Sequence, residues 1–355
     1  MTLDELLLRL VATPSVSGQE GAVADLVQGL LAERGVAVNR EGHNLWFELG
    51  QGGRRLLLNS HLDTVPPNNG WSAEPWAPIW KDGRLVGLGA NDAKGCVAAM
   101  LWTAFALAEH PETLPGRVVF ALTAEEETGG KGIATLLEGL GELDAGVVGE
   151  PTGLQICAAQ RGMLLLRCVA KGQSAHAAHA QLGENAIHKA ARDISRLEVF
   201  RFEGHPLLGA TRAQVTQVQG GLARNQVPDA CEFFVDLRTT PDLDHEEVAR
   251  FFASQLESEV HVHSKRYLPK ATDPAEPIVR AALAAAGKGG PVGSATTSDW
   301  AWLGALPVVK AGPGDTHRSH RPDEFLLAEE LHKGAAFYAN LIPAYFAAAS
   351  EDAHG

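Results

Sequence analysis

Five side chains scattered between residues 61 and 320 have the types and the setting to do chemistry: His61, Asp92, Glu127, Glu150 and His320, with Glu126 beside the third. Each follows an apolar run, within a short turn rich in Gly, Pro or Thr, where a strand would pass into a loop. Two imidazoles and three carboxylates are a donor set for two closely spaced divalent cations, and the additional glutamate is placed as a general base. No thiolate falls in these clusters, so the donors are nitrogen and oxygen only, a set that suits Zn²⁺ and is compatible with Co²⁺ or Mn²⁺. The pattern reads as a metal-dependent hydrolase.

Each motif also has a plainer reading. His61-Leu-Asp63 puts both polar side chains on one side of an extended segment, and Asp63 is suited to take the second N–H of a ligating imidazole. A single histidine at a strand end is more often structural. Gly87-Leu-Gly89-Ala-Asn-Asp92 has the look of a dinucleotide loop, but the third glycine is absent and Asp92 would repel a pyrophosphate. Asp92 either bridges two cations or caps the helix that follows. Glu125-Glu126-Glu127 comes directly after a buried strand, where three carboxylates repel one another unless metal charge compensates. A solvated charge run is the alternative. Vicinal glutamates allow one to bind metal while its neighbour takes a proton from the attacking water. Glu150 closes Val148-Gly-Glu, and Gly312-Pro-Gly-Asp-Thr-His317-Arg-Ser-His320 supplies two candidate histidines three apart. No Gly-x-Ser-x-Gly elbow or Walker loop competes for the chemistry.

The elements around these residues are legible from periodicity. Helical patterns cover 3–11, 21–35, 91–110, 133–140, 278–286 and 325–346, and apolar strands cover 55–59, 117–123, 145–149 and 308–309. Their alternation predicts an α/β fold with a mostly parallel sheet covered on both faces (α/β/α), whose ligands collect at the carboxyl ends of strands. Between them, 163–171, 185–198, 214–219, 230–238, 243–256 and 260–266 read as strand, helix, strand, strand, helix, strand. That order is the split ferredoxin-like unit (βαββαβ). The chain is therefore read as a discontinuous catalytic domain, 1–165 and 272–355, with residues 166–271 inserted.

A formal net charge of −13 argues against a nucleic-acid partner. Apolar residues at 45% and charged residues at 21% are ordinary for a soluble globular protein. The four cysteines show no C-x-x-C spacing and sit in apolar stretches, as buried free thiols do in a reducing compartment. No apolar run approaches the length of a membrane span, and no basic stretch leads an apolar one at the start. A cytoplasmic protein without a membrane partner is expected.

Taken in order, His61-Leu-Asp-Thr-Val-Pro, Gly89-Ala-Asn-Asp-Ala-Lys-Gly, Thr123-Ala-Glu-Glu-Glu-Thr, Gly149-Glu-Pro-Thr and Ser319-His-Arg-Pro-Asp-Glu-Phe resemble the dinuclear-zinc aminoacylase and exopeptidase family along nearly the whole chain. The resemblance implies that Asp92 bridges two metals, that His61 and Glu150 complete one site, and that Glu127 and His320 complete the other. Glu126 would be the general base and Asp63 the orienter of His61. Glu125 stands where the family usually has Asp. The inserted domain would be a lid that also joins a homodimer, and His176 in Gly172-Gln-Ser-Ala-His-Ala-Ala would reach across to polarise the scissile carbonyl, with His179 as its competitor. Asn225, Arg238, Thr297 and Gly312 match positions that contact substrate. The implied substrate is a small N-acyl amino acid. N-acetylornithine, in arginine biosynthesis, leads; succinyl-diaminopimelate, a lysine-pathway N-acyl substrate and dipeptides follow. A non-catalytic scaffold is the reading from another class.

Overall fold

Four apolar runs, Arg55–His61, Arg117–Thr123, Ala145–Val148 and Val308–Lys310, form the parallel centre of the main sheet in a computed structural model that describes residues 1–352. They are buried almost throughout, as strands covered on both faces require. Asn44–Leu49 lies antiparallel on the outer side of Arg117–Thr123, and the order then continues through Arg55–His61, Ala145–Val148 and Val308–Lys310. The chain leaves Arg55–His61 for a neighbour on one side and returns to a neighbour on the other. Such a reversal is the place where open α/β sheets bind ligands, and His61 stands at the carboxyl end of the strand where it occurs.

Helix Lys131–Leu140 covers one face. Its Ile133, Leu136 and Leu140 pack on Leu57, Val119, Ala121 and Val148 of three strands. Helix Lys94–Glu109 covers the other, packed against Leu3–Val11 and the long Ala328–Asp352. The α/β/α reading holds for this unit, which comprises residues 1–158, 271–292 and 298 onward.

The second unit comprises 159–270 and 293–297. Its antiparallel sheet runs Arg201–His205, Gly209–Gly220, Ala230–Thr239, Gly162–Lys171, Glu259–Tyr267. Burial alternates along Gly162–Lys171 and Ala230–Thr239, with one face closed by helices Ala186–Val199 and His245–Gln255. Without the added Arg201–His205 strand this is the ferredoxin-like order. The boundary expected at residue 165 falls inside the Gly162–Lys171 strand.

Several elements differ from expectation. The helix expected from Asn91 begins at Lys94, because residues 91–93 form a turn held by other side chains. Asp92 makes no capping bond to that helix, whose N-cap is Ala93, so the capping alternative is corrected. The closing helix begins at Ala328, since Phe325–Leu327 pairs as a strand with Arg84–Val86. Helix 21–35 stops at Ala32. Short edge strands at Asn39–Glu41, Ile79–Lys81 and Arg201–His205 carry too few apolar residues to show a period. All four cysteines are buried and free.

Candidate metal centre

His61 is the last residue of its strand and 1% exposed. Its Nδ1 lies 3.0 Å from the main-chain carbonyl of Asp63 and 3.3 Å from the Asp63 carboxylate. Nε2 points the other way, 3.3 Å from Asp92 Oδ1 and 4.0 Å from Glu150 Oε1. Burial alone would lower the His61 pKa; the carboxylates of Asp63 and Asp92 overcome it and hold the ring well above its usual range.

Asp63 is buried completely and organises more than His61. Its Oδ1 accepts the Glu126 amide and its Oδ2 the Glu127 amide, both at 3.1 Å. Ser17 Oγ donates to Oδ2 at 2.7 Å. Burial pushes the Asp63 carboxyl up, yet His61 and these donors leave it below its usual value. The preceding amide, that of Glu125, goes to Glu20 Oε1 at 3.0 Å. Glu125 itself is left-handed, with φ +57°. Asp92 sits in a turn whose amides are captured in the same way: Glu324 Oε1 accepts the N–H groups of Asn91 and Asp92 at 2.9 and 3.0 Å.

The carboxylates this framework gathers repel one another. Burial pushes Glu126 well above the usual carboxylate range; His61 opposes it, while Glu150, Asp299 and Glu127 add to it. Burial also raises Glu127, against a hydrogen bond from His320. It takes Glu150 to about 7, with Lys310 opposing and Asp92 adding. His320 Nε2 is 2.9 Å from Glu127 Oε1 and 3.7 Å from Asp92 Oδ2, and the Glu127 bond raises His320 to about 9.

Two groups of donor atoms come within 4.8 Å of one another: His61, Glu126 and Glu150, and His61, Asp92 and Glu127. With His320 on Glu127, all six residues meet in the first unit. Crowded carboxyls whose ionisation burial opposes, facing imidazole nitrogens, are a donor set that divalent cations fit and relieve. Either Glu126 or Glu127 could reach an ion. His317, the other candidate histidine, stands away from the cluster with its ring 87% exposed and paired with Asp315 at 2.8 Å.

The expected substrate residues are dispersed. Gly312 lies behind Glu150: a Cβ there would come 2.8 Å from the Glu150 carbonyl and 2.5 Å from Cys96 Sγ. Its amide donates to Thr152 Oγ1. Thr297 is half-buried and belongs to the second unit. There too, Ala175–His176 pairs with Gln226–Val227, and the Asn225 carbonyl accepts the Ala177 amide at 2.9 Å. His176 Nδ1 accepts the Ala178 amide at 3.1 Å, so it caps the short 3-10 helix Ala177–Leu182. His179 lies 6.2 Å from it between ring centroids. Arg238 is already engaged, donating from Nε and Nη2 to the two oxygens of Asp236 at 2.9 and 3.1 Å.

Glu20 and Glu324, two buried carboxylates that hold the turns of the centre, have no role in the sequence reading. Glu324 stands four residues after His320 in the same Ser-His-Arg-Pro-Asp-Glu motif, which is its sequence signal; Glu20, in a Ser-Gly-Gln-Glu turn, resembles any helix entry. Asp299 of the first unit is buried, its Oδ2 accepting from Thr123 Oγ1 at 2.7 Å, and burial pushes it up to about 6.

Residues 57–344 match the model of peptidase family M20/M25/M40. The chain is 30% identical to a succinyl-diaminopimelate desuccinylase of Xanthomonas campestris pv. campestris, covering 95% of this chain and 96% of that protein. It is 32% identical to an acetylornithine deacetylase of Myxococcus xanthus, over 82% and 80% of the two chains. The fold is shared with the aminopeptidase PepT of Bacillus cereus, with a TM-score of 0.80 and 24% identity over 97% of this chain and 98% of that one. It is also shared with a dinuclear metal-binding M20 peptidase of Bacillus subtilis, with a TM-score of 0.77 and 20% identity over 97% of each chain. The extent of the family match and of the curated relatives leaves one conclusion: this chain belongs to peptidase family M20/M25/M40 and is a metal-dependent hydrolase.

Proposed function

We propose that this chain hydrolyses the amide bond of an N-acyl amino acid, with N-acetylornithine as its substrate and arginine biosynthesis as its context. The observation that carries the reading is the meeting of two histidines and four carboxyls at the carboxyl ends of adjacent parallel strands. His61 and Glu150 would hold one ion, Glu127 and His320 the other, and Asp92 both; Zn²⁺ suits the donors best, with Co²⁺ and Mn²⁺ as alternatives. Bound there, the ions would polarise the acyl carbonyl and lower the pKa of the attacking water.

The remaining work falls to side chains. Glu126 takes the proton of that water and returns it to the leaving amine, a role helped by burial that raises its proton affinity. Asp63 engages His61 at Nδ1, which leaves Nε2 to face an ion. His176 accepts an amide at Nδ1, so its proton sits on Nε2 and is free to donate to the developing oxyanion. In this reading His176 acts from the partner subunit of a homodimer joined through the second unit. By the family resemblance Asn225, Arg238, Thr297 and Gly312 would contact substrate, and Arg238 would exchange Asp236 for the substrate carboxylate. Four free cysteines support a cytoplasmic setting.

Desuccinylation is the second reading, favoured by the desuccinylase match over 95% of the chain. Side-by-side assay of N-acetylornithine, N-acetylcitrulline, N-succinyl-diaminopimelate and dipeptides separates these. The highest kcat/KM is expected on N-acetylornithine. Preference for the succinyl substrate would replace it with the second reading, and preference for dipeptides would overturn both.

A further inference from the structure

We propose that Glu20 is a positioning residue for the Glu126–Glu127 turn, which makes the segment before the first sheet strand a working part of the metal centre. Glu20 is 0% exposed and stands at the N-cap of helix Gly21–Ala32, yet its side chain makes no capping bond to that helix. Its Oε1 instead accepts the Gly18 amide at 2.8 Å and the Glu125 amide at 3.0 Å. Oε2 is buried, with no hydrogen-bond partner among the described residues. Burying a carboxylate with one oxygen unsatisfied is costly. Helix capping, the ordinary reason for an acidic residue at this place, does not explain it.

The Glu125 contact does. Glu125 adopts a left-handed φ of +57°, an unfavourable conformation for a residue with a Cβ. It persists where surrounding bonds over-determine it. Glu20 holds the Glu125 amide, and Asp63 holds the next two through its two oxygens. Ser17, from the same segment as Glu20, ties down Asp63. Three successive amides are thus fixed by two buried carboxylates. With the backbone so held, the neighbouring side chains diverge: Glu126 joins His61 and Glu150, and Glu127 joins His61 and Asp92. The inference rests on the reading in which these two glutamates divide the work of base and ligand.

The test compares E20A, E20Q and E20D with E126Q as a control. Hydrogen exchange is followed at the 125–127 amides, alongside kcat, KM and bound metal. In E20A those amides are expected to exchange at least about tenfold faster, while the central strands keep their protection. Displacing the base should lower kcat by about 10- to 100-fold with KM and metal content unchanged. E20Q retains an acceptor oxygen and should restore both exchange and turnover; E20D, too short to reach, should not. Unchanged exchange in E20A, a wild-type kcat per metal-loaded chain, or E20Q as impaired as E20A would overturn the proposal. Should E20A fail to fold, E20D behaving as wild type overturns it, and E20D behaving as expected beside an active E20Q upholds it. Wild-type turnover by E126Q would instead sink the base reading, while the exchange result still reports on Glu20.

Discussion

The metal centre and the polar residues of the second unit are held in place in opposite ways. At the metal centre the contacts join residues far apart in sequence: Glu125 to Glu20, His320 to Glu127, Asp92 to Glu324. In the second unit the side chains of His176 and Arg238 are held locally, His176 by Ala178 and Arg238 by Asp236. The first arrangement exists only once the sheet and its crossovers have formed, and it buries charge that opposes folding. The second orients a donor without deciding what that donor faces. Removing a residue that would hold or orient an ion should therefore alter metal binding and stability, whereas changes in the second unit should alter turnover alone.

The largest effect that could break this contrast is metal removal. Chelation is expected to reduce hydrolysis to background, with recovery on adding Zn²⁺, Co²⁺ or Mn²⁺; activity surviving exhaustive chelation would remove the centre from the chemistry. Next is H176A, expected to lower kcat by about 10²- to 10³-fold with bound metal unchanged, the loss typical of an oxyanion donor. H179A should leave kcat intact, and a reversal of the two would reassign the donor. D63N is expected to weaken metal affinity by about 10- to 100-fold, measured by competition with a chelating dye.

The smallest expected effect is on stability, and its sign is fixed by the direction of the shifts. Without metal, Glu150 is raised to about 7, so the folded state holds that proton more tightly than the unfolded state. Stability is then lost as pH rises between the ordinary glutamate value and 7. His320, raised to about 9, contributes stability that is fully present below its unfolded pKa and lost as pH rises through 9. Both act in one direction, so the Tm of the metal-free protein should fall from pH 5 to pH 9. Metal should flatten that slope. A metal-free Tm that rose over this window would contradict the burial argument.

What was legible in the sequence follows the same division. The central strands and the long helices showed themselves because two-sided burial leaves uninterrupted apolar runs, and each run pointed to the polar residue after it. His61, Asp92, Glu126, Glu127, Glu150 and His320 were found in that way, and the structure gathers them. Glu20 was not, because its partner is an amide 105 residues away and an amide leaves no trace in residue type. The start of helix Lys94–Glu109 leaves no sequence signal for a related reason: the turn at 91–93 is held by Glu324, far along the chain. Edge strands such as Arg201–His205 were invisible because exposed strands need no apolar period.

Metal content and turnover of E126Q, measured on one preparation, test the central claim most directly. Two divalent ions per chain are expected, as in the wild type, with kcat reduced by about 10²- to 10⁴-fold. Loss of one ion would make Glu126 a ligand and move the base to its neighbour, and wild-type turnover would contradict the division of roles altogether.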